Sequence, residues 1–519
     1  MKEKIFVLFI TLLPNILLGQ KMERTDTVAL RYSQEVNGLI LRQHLAVIAS
    51  DAYEGRETGR KGQKMAADYI KSEFKKLKLK PGNDTSYFQN YPMVVRRPAN
   101  IDVIADGKKY TYKKDFYSGS QPDFHDQTID ASLVVFCGYG LTDSSTSYTD
   151  YGKAGNLKGK VVLVYYGEPK RKDGRYLLTG TTEASSAIPL LGRKISAAKK
   201  TGARAMLIVS SEDPATVRPG RGGGAERIRM ADATAKEEMP VLYISKEMAN
   251  QLLGKNLEAV MAQKKKRSFT KKANLKIDIH RDEPGYSGEN VIGVLEGTSR
   301  KTEYLFVTAH YDHLGIINGE IYNGADDDGS GTVAVLALAR AFAKARDEGH
   351  GPERSIVFMA VSGEEKGLLG SGWYVDHPTI PLTDIICDLN IDMIGRMDEA
   401  HKMDPDYVYV IGSDKLSSEL HAINASANAN FTHLKLDYTY NDVNDPNRFY
   451  YRSDHYNFAK NDIPVVFYFN GVHADYHKET DEIEKIDFKI MEKRARLVFF
   501  TAWELSNRSK RIVVDSHKK

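Results

Sequence analysis

YLFVTAHYDH, residues 304–313, opens the stretch that decides the fold. NGADDDGSG at 323–331, SIVFMAV at 355–361 and GEE at 363–365 complete it. Residues 304–309 and 355–361 are short apolar runs with β-branched and aromatic content, which read as buried strands. Residues 332–345 carry an apolar helix pattern almost all round and read as a buried helix. Strand, helix, strand is the pattern of a mainly parallel sheet. In open α/β sheets, ligands bind outside the carboxyl ends of the strands. His310, the aspartates Asp326, Asp327 and Asp328, and the pair Glu364 and Glu365 are therefore expected along one rim.

A mixed set of imidazole and carboxylate ligands suits zinc, and a carboxylate can bridge two ions. His310 and Asp312 stand two apart at a strand end and share a face. The Asp312 carboxylate is therefore expected to accept the second ring N–H of His310. Taken alone, the aspartate triplet reads first as a solvated turn before a helix, because Asp is common at helix starts. Beside a strand-end histidine and a glutamate pair, it reads as a metal centre.

The alternation continues on both sides. Residues 290–295, 385–391 and 464–469 read as further strands, and 487–505 as a closing amphipathic helix. The strand 385–391 ends in Asp392-Met393-Ile394-Gly395-Arg396, and 464–469 is followed by a loop reaching Tyr476-His477. These add one aspartate and one histidine to the rim.

Upstream the texture changes. Residues 38–79 read as helical around a polar loop at 51–59, with Ala66, Tyr69, Ile70, Phe74 and Leu77 at helical spacing and Pro81-Gly82 as the stop. From about 98 the chain turns to short strands. Asp106-Gly107 is a hairpin signal. Residues 133–137, 161–166, 203–209 and 240–244 read as strands, 195–200 as helix, and the Gly- and Arg-rich 217–230 as a mobile loop. Gly222-Gly223-Gly224 has no strand leading into it, which argues against a phosphate cradle. No chemical constellation falls in this region. The expected boundaries are 1–19, a signal peptide; 20–97, the N-terminal part of a catalytic domain; 98–280, an inserted β-rich domain; and 281–519, the catalytic domain proper.

Lys2 and Lys4 precede an apolar run broken by Pro14 and Asn15, too short for a membrane span and suited to a signal peptide cleaved near Gly19-Gln20. The mature chain is expected to be exported, periplasmic or secreted, without a membrane anchor. A net charge of +4 is too small to imply a nucleic-acid partner, and the basic cluster at 264–267 lacks interleaved aromatics and reads as a solvated face. Cys137 and Cys387 sit in apolar runs and read as buried free thiols.

The residues resemble a known family. His310 in Ala-His-Tyr-Asp-His, the aspartate triplet, the glutamate pair, Asp392 in Ile-Asp-Met and His477 occur in the order of the co-catalytic dizinc exopeptidases, which include bacterial leucyl aminopeptidases and glutamate carboxypeptidases. The resemblance covers about 290–485 closely and 38–80 loosely. The inserted region, with Phe136-Cys137-Gly138-Tyr139-Gly140 and Gly159-Lys160-Val161-Val162-Leu163-Val164, is similar to a protease-associated domain. The resemblance implies an α/β fold, a mainly parallel mixed sheet flanked by helices, carrying that β-rich insert. It also implies two zinc ions. His310 and Asp392 would hold one, Glu365 and His477 the other, and Asp327 would bridge them. Asp312 would orient His310, Glu364 would be the general base, and Asp481 an outer partner. Tyr476 or Tyr450 would donate to the oxyanion, with Tyr476 favoured because its neighbour is a ligand. Arg396 and His473 read as substrate contacts or as salt-bridge and core groups.

The implied activity is hydrolysis of a peptide substrate, foremost as an aminopeptidase. A carboxypeptidase or dipeptidase of the same family stays open, because the sequence does not show which chain end the pocket takes. A glutaminyl cyclase is disfavoured by the full five-ligand set and by the insert. A non-catalytic binding module is disfavoured because no ligand is missing.

Overall fold

The computed structural model describes residues 26–516 apart from 97–99, 119–125, 153, 211, 213, 215–226, 232–238, 263–267 and 281–283. The signal-peptide segment, the glycine triplet at 222–224 and the basic cluster at 264–267 lie outside the described residues. The chain divides into two compact units, one comprising the residues up to Gln89 together with Glu289–Lys519, the other Asn90–Gly288.

The first unit is built on a mixed sheet in the order Gly285–Leu295, Arg354–Val361, Arg300–His310, Ile385–Ile391, Val465–Phe469, Tyr407–Ile411, Lys435–Asp437. Arg354–Val361, Arg300–His310, Ile385–Ile391 and Val465–Phe469 run parallel, with His310 opposite Val361 and Ile391 opposite Tyr468. Their carboxyl ends therefore lie side by side. The reason is burial on both faces. Along Arg300–His310, Leu305, Val307 and Ala309 pack into one core layer while Phe306 packs into the other. Strands buried on both sides need continuous apolar runs.

Helix Gly331–Asp347 fills the first layer with Gly38–Ile48 and Phe488–Asn507. Its alanines let it lie buried on nearly every side. Asp487 caps Phe488–Asn507 by accepting from the Lys489 and Ile490 N–H groups. Tyr407–Ile411, a YVYVI run that sequence reading passes over, joins the sheet antiparallel to Val465–Phe469. The polar loop expected at 51–59 is instead a tight 3₁₀ turn, Asp51–Arg56, with Arg56 fully buried.

The second unit has its own sheet. Gln127–Phe136 pairs antiparallel with Phe269–His280 and parallel with Val161–Tyr165, which continues in parallel to Ala205–Val209 and Val241–Ile244. The hairpin at Asp106-Gly107 joins Asn100–Ala105 to Lys108–Tyr110. The expected loop at 217–230 needs correction at its end: Arg227–Met230 is a strand, antiparallel to residues 93–96. Its alternating Arg-Ile-Arg-Met pattern is a strand signal that the preceding glycines hide. Cys137 and Cys387 are buried free thiols.

Candidate metal centre

The three adjacent aspartates do three different things. Asp328 Oδ1 accepts the N–H groups of Gly331 (2.8 Å) and Met393 (3.1 Å), and Oδ2 that of His310 (3.2 Å). It ties the ends of two strands to the start of the buried helix. Asp326 Oδ1 accepts Gly395 N–H at 2.7 Å, and Oδ2 lies 3.1 Å from His473 Nε2. Asp327 alone turns its carboxylate to the rim. The turn is tight: a Cβ on Gly331 would collide with Asp328 and with the Ile391 carbonyl, so only glycine lets the helix start that close to the strand end.

Around Asp327 the two oxygens face different partners. Oδ1 is 3.3 Å from His310 Nε2, which is 3.7 Å from Asp392 Oδ1. Oδ2 is 3.1 Å from His477 Nε2, which is 3.3 Å from Glu365 Oε2. His310, Asp327, Glu365, Asp392 and His477 are thus brought together. Burial would raise the Asp327 pKa, but its contacts with His310 and His477 hold it well below the usual carboxylate range.

Each rim residue is held from behind. Asp392 Oδ2 accepts from Ser453 Oγ at 2.6 Å, and Ser453 Oγ accepts from Asn390 Nδ2 at 2.8 Å. Asp481 Oδ2 accepts the N–H groups of Asp326 (3.0 Å) and Asp327 (3.1 Å), so it braces the triplet. The expected bond from His310 to the Asp312 carboxylate needs correction. His310 Nδ1 lies 3.1 Å from the Asp312 main-chain oxygen and 3.8 Å from its carboxylate. That carboxylate accepts instead from Thr58 Oγ1 (2.5 Å) and from Glu364 N–H (3.3 Å). Asp312 therefore reaches the glutamate pair as well as the histidine.

A pocket at the rim is lined by Glu364, Tyr476, Met393, Phe449, Phe467 and Phe469 beside the ligand candidates. Burial holds the Glu364 carboxyl well above the usual range; His310 opposes this, and the Glu365 and Asp392 charges add to it. Burial also raises the Tyr476 phenol, so the group stays a donor, and Arg452 Nη2 donates to its oxygen at 3.4 Å. Tyr450 is not brought to this pocket. Its ring packs among Tyr451, Tyr456 and His455 beneath Lys415, and it lines a different cleft. Arg396 and His473 are engaged in ion pairs, Arg396 with Asp475 at 2.9 Å and His473 with Asp326.

Sequence reading assigns no role to two residues that the structure places at the centre. Arg56 is a fully buried clamp: Nε donates to the Tyr311 carbonyl (2.8 Å), Nη1 to those of Ile48 (2.8 Å) and Asn323 (2.6 Å), and Nη2 to that of Gly324 (2.9 Å). Burial lowers its pKa to about 10, against the pull of Asp312, Asp481, Asp328 and Asp327. No local pattern signals this, because all four carbonyls come from elsewhere in the chain. His313 is the other. Its spacing from His310 was the one available signal, and it lies with Nδ1 2.8 Å from Glu365 Oε1.

The donor set fits metal ions. His310, Asp327 and Asp392 form one group whose ligand atoms converge, and His313, Asp327 and Glu365 a second. Asp327 Oδ2, Glu365 Oε1 and both His313 nitrogens are buried without a hydrogen-bond partner. Buried polar atoms are otherwise nearly always satisfied, so a converging group of orphans calls for a missing ligand.

Residues 290–502 match the model of Peptidase family M28, and residues 129–252 that of the PA domain. The chain is thus similar to peptidase family M28 over residues 290–502 and to a PA domain over residues 129–252. A probable zinc metalloprotease of Leptosphaeria maculans is 27% identical over 251 residues, 42% of this chain and 57% of that protein. Aminopeptidase YwaD of Bacillus subtilis is 29% identical over 225 residues, 41% of each. The matches span about half the length of these curated relatives. An aminopeptidase structure from Aneurinibacillus sp. strain AM-1 superposes with a TM-score of 0.50 at 18% identity, covering 95% of this chain and all of that one, a likeness of fold.

Proposed function

We propose that the chain is a dizinc aminopeptidase that releases N-terminal residues from peptides, and that it works as an exported enzyme. The observation that carries the reading is the Asp327 carboxylate, whose two oxygens face two separate histidine–carboxylate pairs. One carboxylate serving two sites is the arrangement of a two-metal hydrolase. His310 and Asp392 would hold one zinc, Glu365 and His477 the other, with Asp327 between. The names of the relatives, zinc metalloprotease and aminopeptidase, support the same activity. For export, the charged and apolar N-terminal run supports the reading; among the described residues no helix is long and apolar enough to cross a membrane.

When bound, the zinc pair supplies Lewis acidity and eases deprotonation of the attacking water. Glu364, which lines the pocket beside the ligand candidates, takes that proton and returns it to the leaving amine. Tyr476 donates from its phenol to the developing oxyanion. Phe449, Phe467, Phe469 and Met393 give the pocket an apolar wall, which fits an apolar N-terminal side chain. Ser453 and Asp481 keep Asp392 and the triplet in place.

Paired assays with an aminoacyl-nitroanilide and an acyl-blocked dipeptide test the end preference. Cleavage of the first and not the second is expected. Cleavage of the blocked dipeptide alone would make the chain a carboxypeptidase.

A further inference from the structure

We propose that Arg396 is a positioning residue of the reaction: it fastens the loop 470–477, which carries Tyr476 and His477, to the strand end that carries Asp392. The inference rests on the dizinc reading above and on the oxyanion role given there to Tyr476. Arg396 follows Asp392 by four residues, and its own main chain is fixed. The fully buried Arg494 donates from Nη1 to the carbonyls of Ile394 (2.9 Å) and Arg396 (2.5 Å), and from Nε to that of Tyr407 (2.7 Å). From this base Arg396 reaches the loop twice. Its N–H donates to Asn470 Oδ1 at 2.7 Å, where the loop begins, and its Nη2 to Asp475 Oδ2 at 2.9 Å. Asp475 immediately precedes Tyr476-His477.

The other side chains that bond the Asp475 carboxylate come from its own turn. Thr480 Oγ1 and Lys485 Nζ, each 2.7 Å from Oδ1, lie five and ten residues downstream, so they close that segment on itself. Arg396 is the donor that ties the carboxylate to the strand end. The pair is sheltered, with both side chains 16% exposed, so salt screens it weakly. Nη1 of Arg396 is buried and lies 3.8 Å from Asp481 Oδ1. One guanidinium thus stands between the carboxylate beside Tyr476 and the carboxylate that braces the aspartate triplet. A planar cation with divergent donors suits two carboxylates at once. Arg396 does not line the pocket, and these contacts make it a brace rather than a substrate contact. A phenol that bonds only the developing oxyanion acts in the transition state alone, so its displacement lowers kcat and leaves KM in place.

A double-mutant cycle on the full chain tests this, with kcat and KM measured on an aminoacyl-nitroanilide at saturating zinc. Arg396→Gln should lower kcat by about 10- to 100-fold, the cost of a displacement near 1 Å, with KM held within about threefold. In a Tyr476→Phe background the same substitution should cost no more than about threefold, because the group it positions is gone. Full turnover in Arg396→Gln, or a loss as large in the Tyr476→Phe background as in the wild type, would overturn the proposal. Arg396→Lys keeps a cation opposite Asp475 and should show a smaller loss of the same kind; a loss equal to that of Arg396→Gln would overturn it too. Where Arg396→Gln does not fold, Arg396→Lys carries the cycle. Full turnover in Tyr476→Phe alone would contradict the role given to the phenol in the reading above, and this proposal with it.

Discussion

At the scale of single residues, neighbouring carboxylates with the same chemistry have opposite tasks. Glu365 sits between His313 and His477, whereas Glu364 faces the pocket. Glu364→Gln should leave zinc content unchanged and lower turnover by roughly two to four orders of magnitude, the usual contribution of a positioned base. Glu365→Gln should lower zinc content itself, because an amide is the poorer ligand. Zinc per chain and turnover, measured on both variants, separate the roles. Near-normal turnover in Glu364→Gln would remove the proposed base. Zinc loss in Glu364→Gln with retention in Glu365→Gln would show the two roles reversed.

At the scale of elements, the centre depends on how strand ends and turns are tied together. Arg56 spans the turn Asp51–Arg56, the end of helix Gly38–Ile48 and the loops carrying Asp312 and the aspartates. Hydrogen bonds from a charged donor are worth about 1.5–3 kcal/mol each, and four buried carbonyls lose theirs in Arg56→Met. A loss of about 3 kcal/mol or more is expected in urea unfolding. A change within about 0.5 kcal/mol, typical of surface sites, would show that the clamp is dispensable.

Strand Ile385–Ile391 carries a pH-sensitive group. Burial holds the Asp388 carboxyl well above the usual range, with Thr308 Oγ1 donating to it at 2.8 Å. Its folded pKa exceeds its unfolded one, so folding takes up a proton. This group's contribution is present below pH 4 and is lost as pH rises toward the folded pKa. Asp388→Asn should therefore flatten the decline of stability as the pH rises above about 4. An unchanged slope, from melting temperatures across that range, would contradict the assignment.

The core strands and the buried helix were legible because their apolar runs depend only on burial, and residues 385–391 have the bounds read from sequence. The gathering of His310, Asp327, Glu365, Asp392 and His477 was legible because parallel strands bring their ends together. What local pattern could not show were contacts made across the fold. Asp312 bonds Thr58, from a distant turn, rather than the His310 ring nitrogen. Tyr450 is held by an aromatic cluster. Arg56 bonds four separated carbonyls, and the Arg227–Met230 strand is recognisable only beside its partner strand.

At the scale of the whole molecule, stability and metal content should be linked. Asp327, Asp392 and Glu365 are packed close together, with little side-chain exposure, and ions that bind only the folded chain stabilise it by mass action, on the order of 4 kcal/mol at a thousandfold excess over Kd. Chelation should lower the melting temperature by several degrees, and added zinc should restore it. A melting curve indifferent to chelator would mean that the rim carboxylates are satisfied without metal.

The central claim is that Asp327 serves two ions at once. Zinc per chain, measured for the wild type, Asp327→Asn and Asp326→Asn by elemental analysis after exhaustive dialysis, tests it most directly. The account predicts two zinc ions in the wild type, loss of both in Asp327→Asn, and retention of zinc in Asp326→Asn, whose carboxylate faces Gly395 and His473 instead. Full zinc content in Asp327→Asn, with loss in Asp326→Asn, would contradict it.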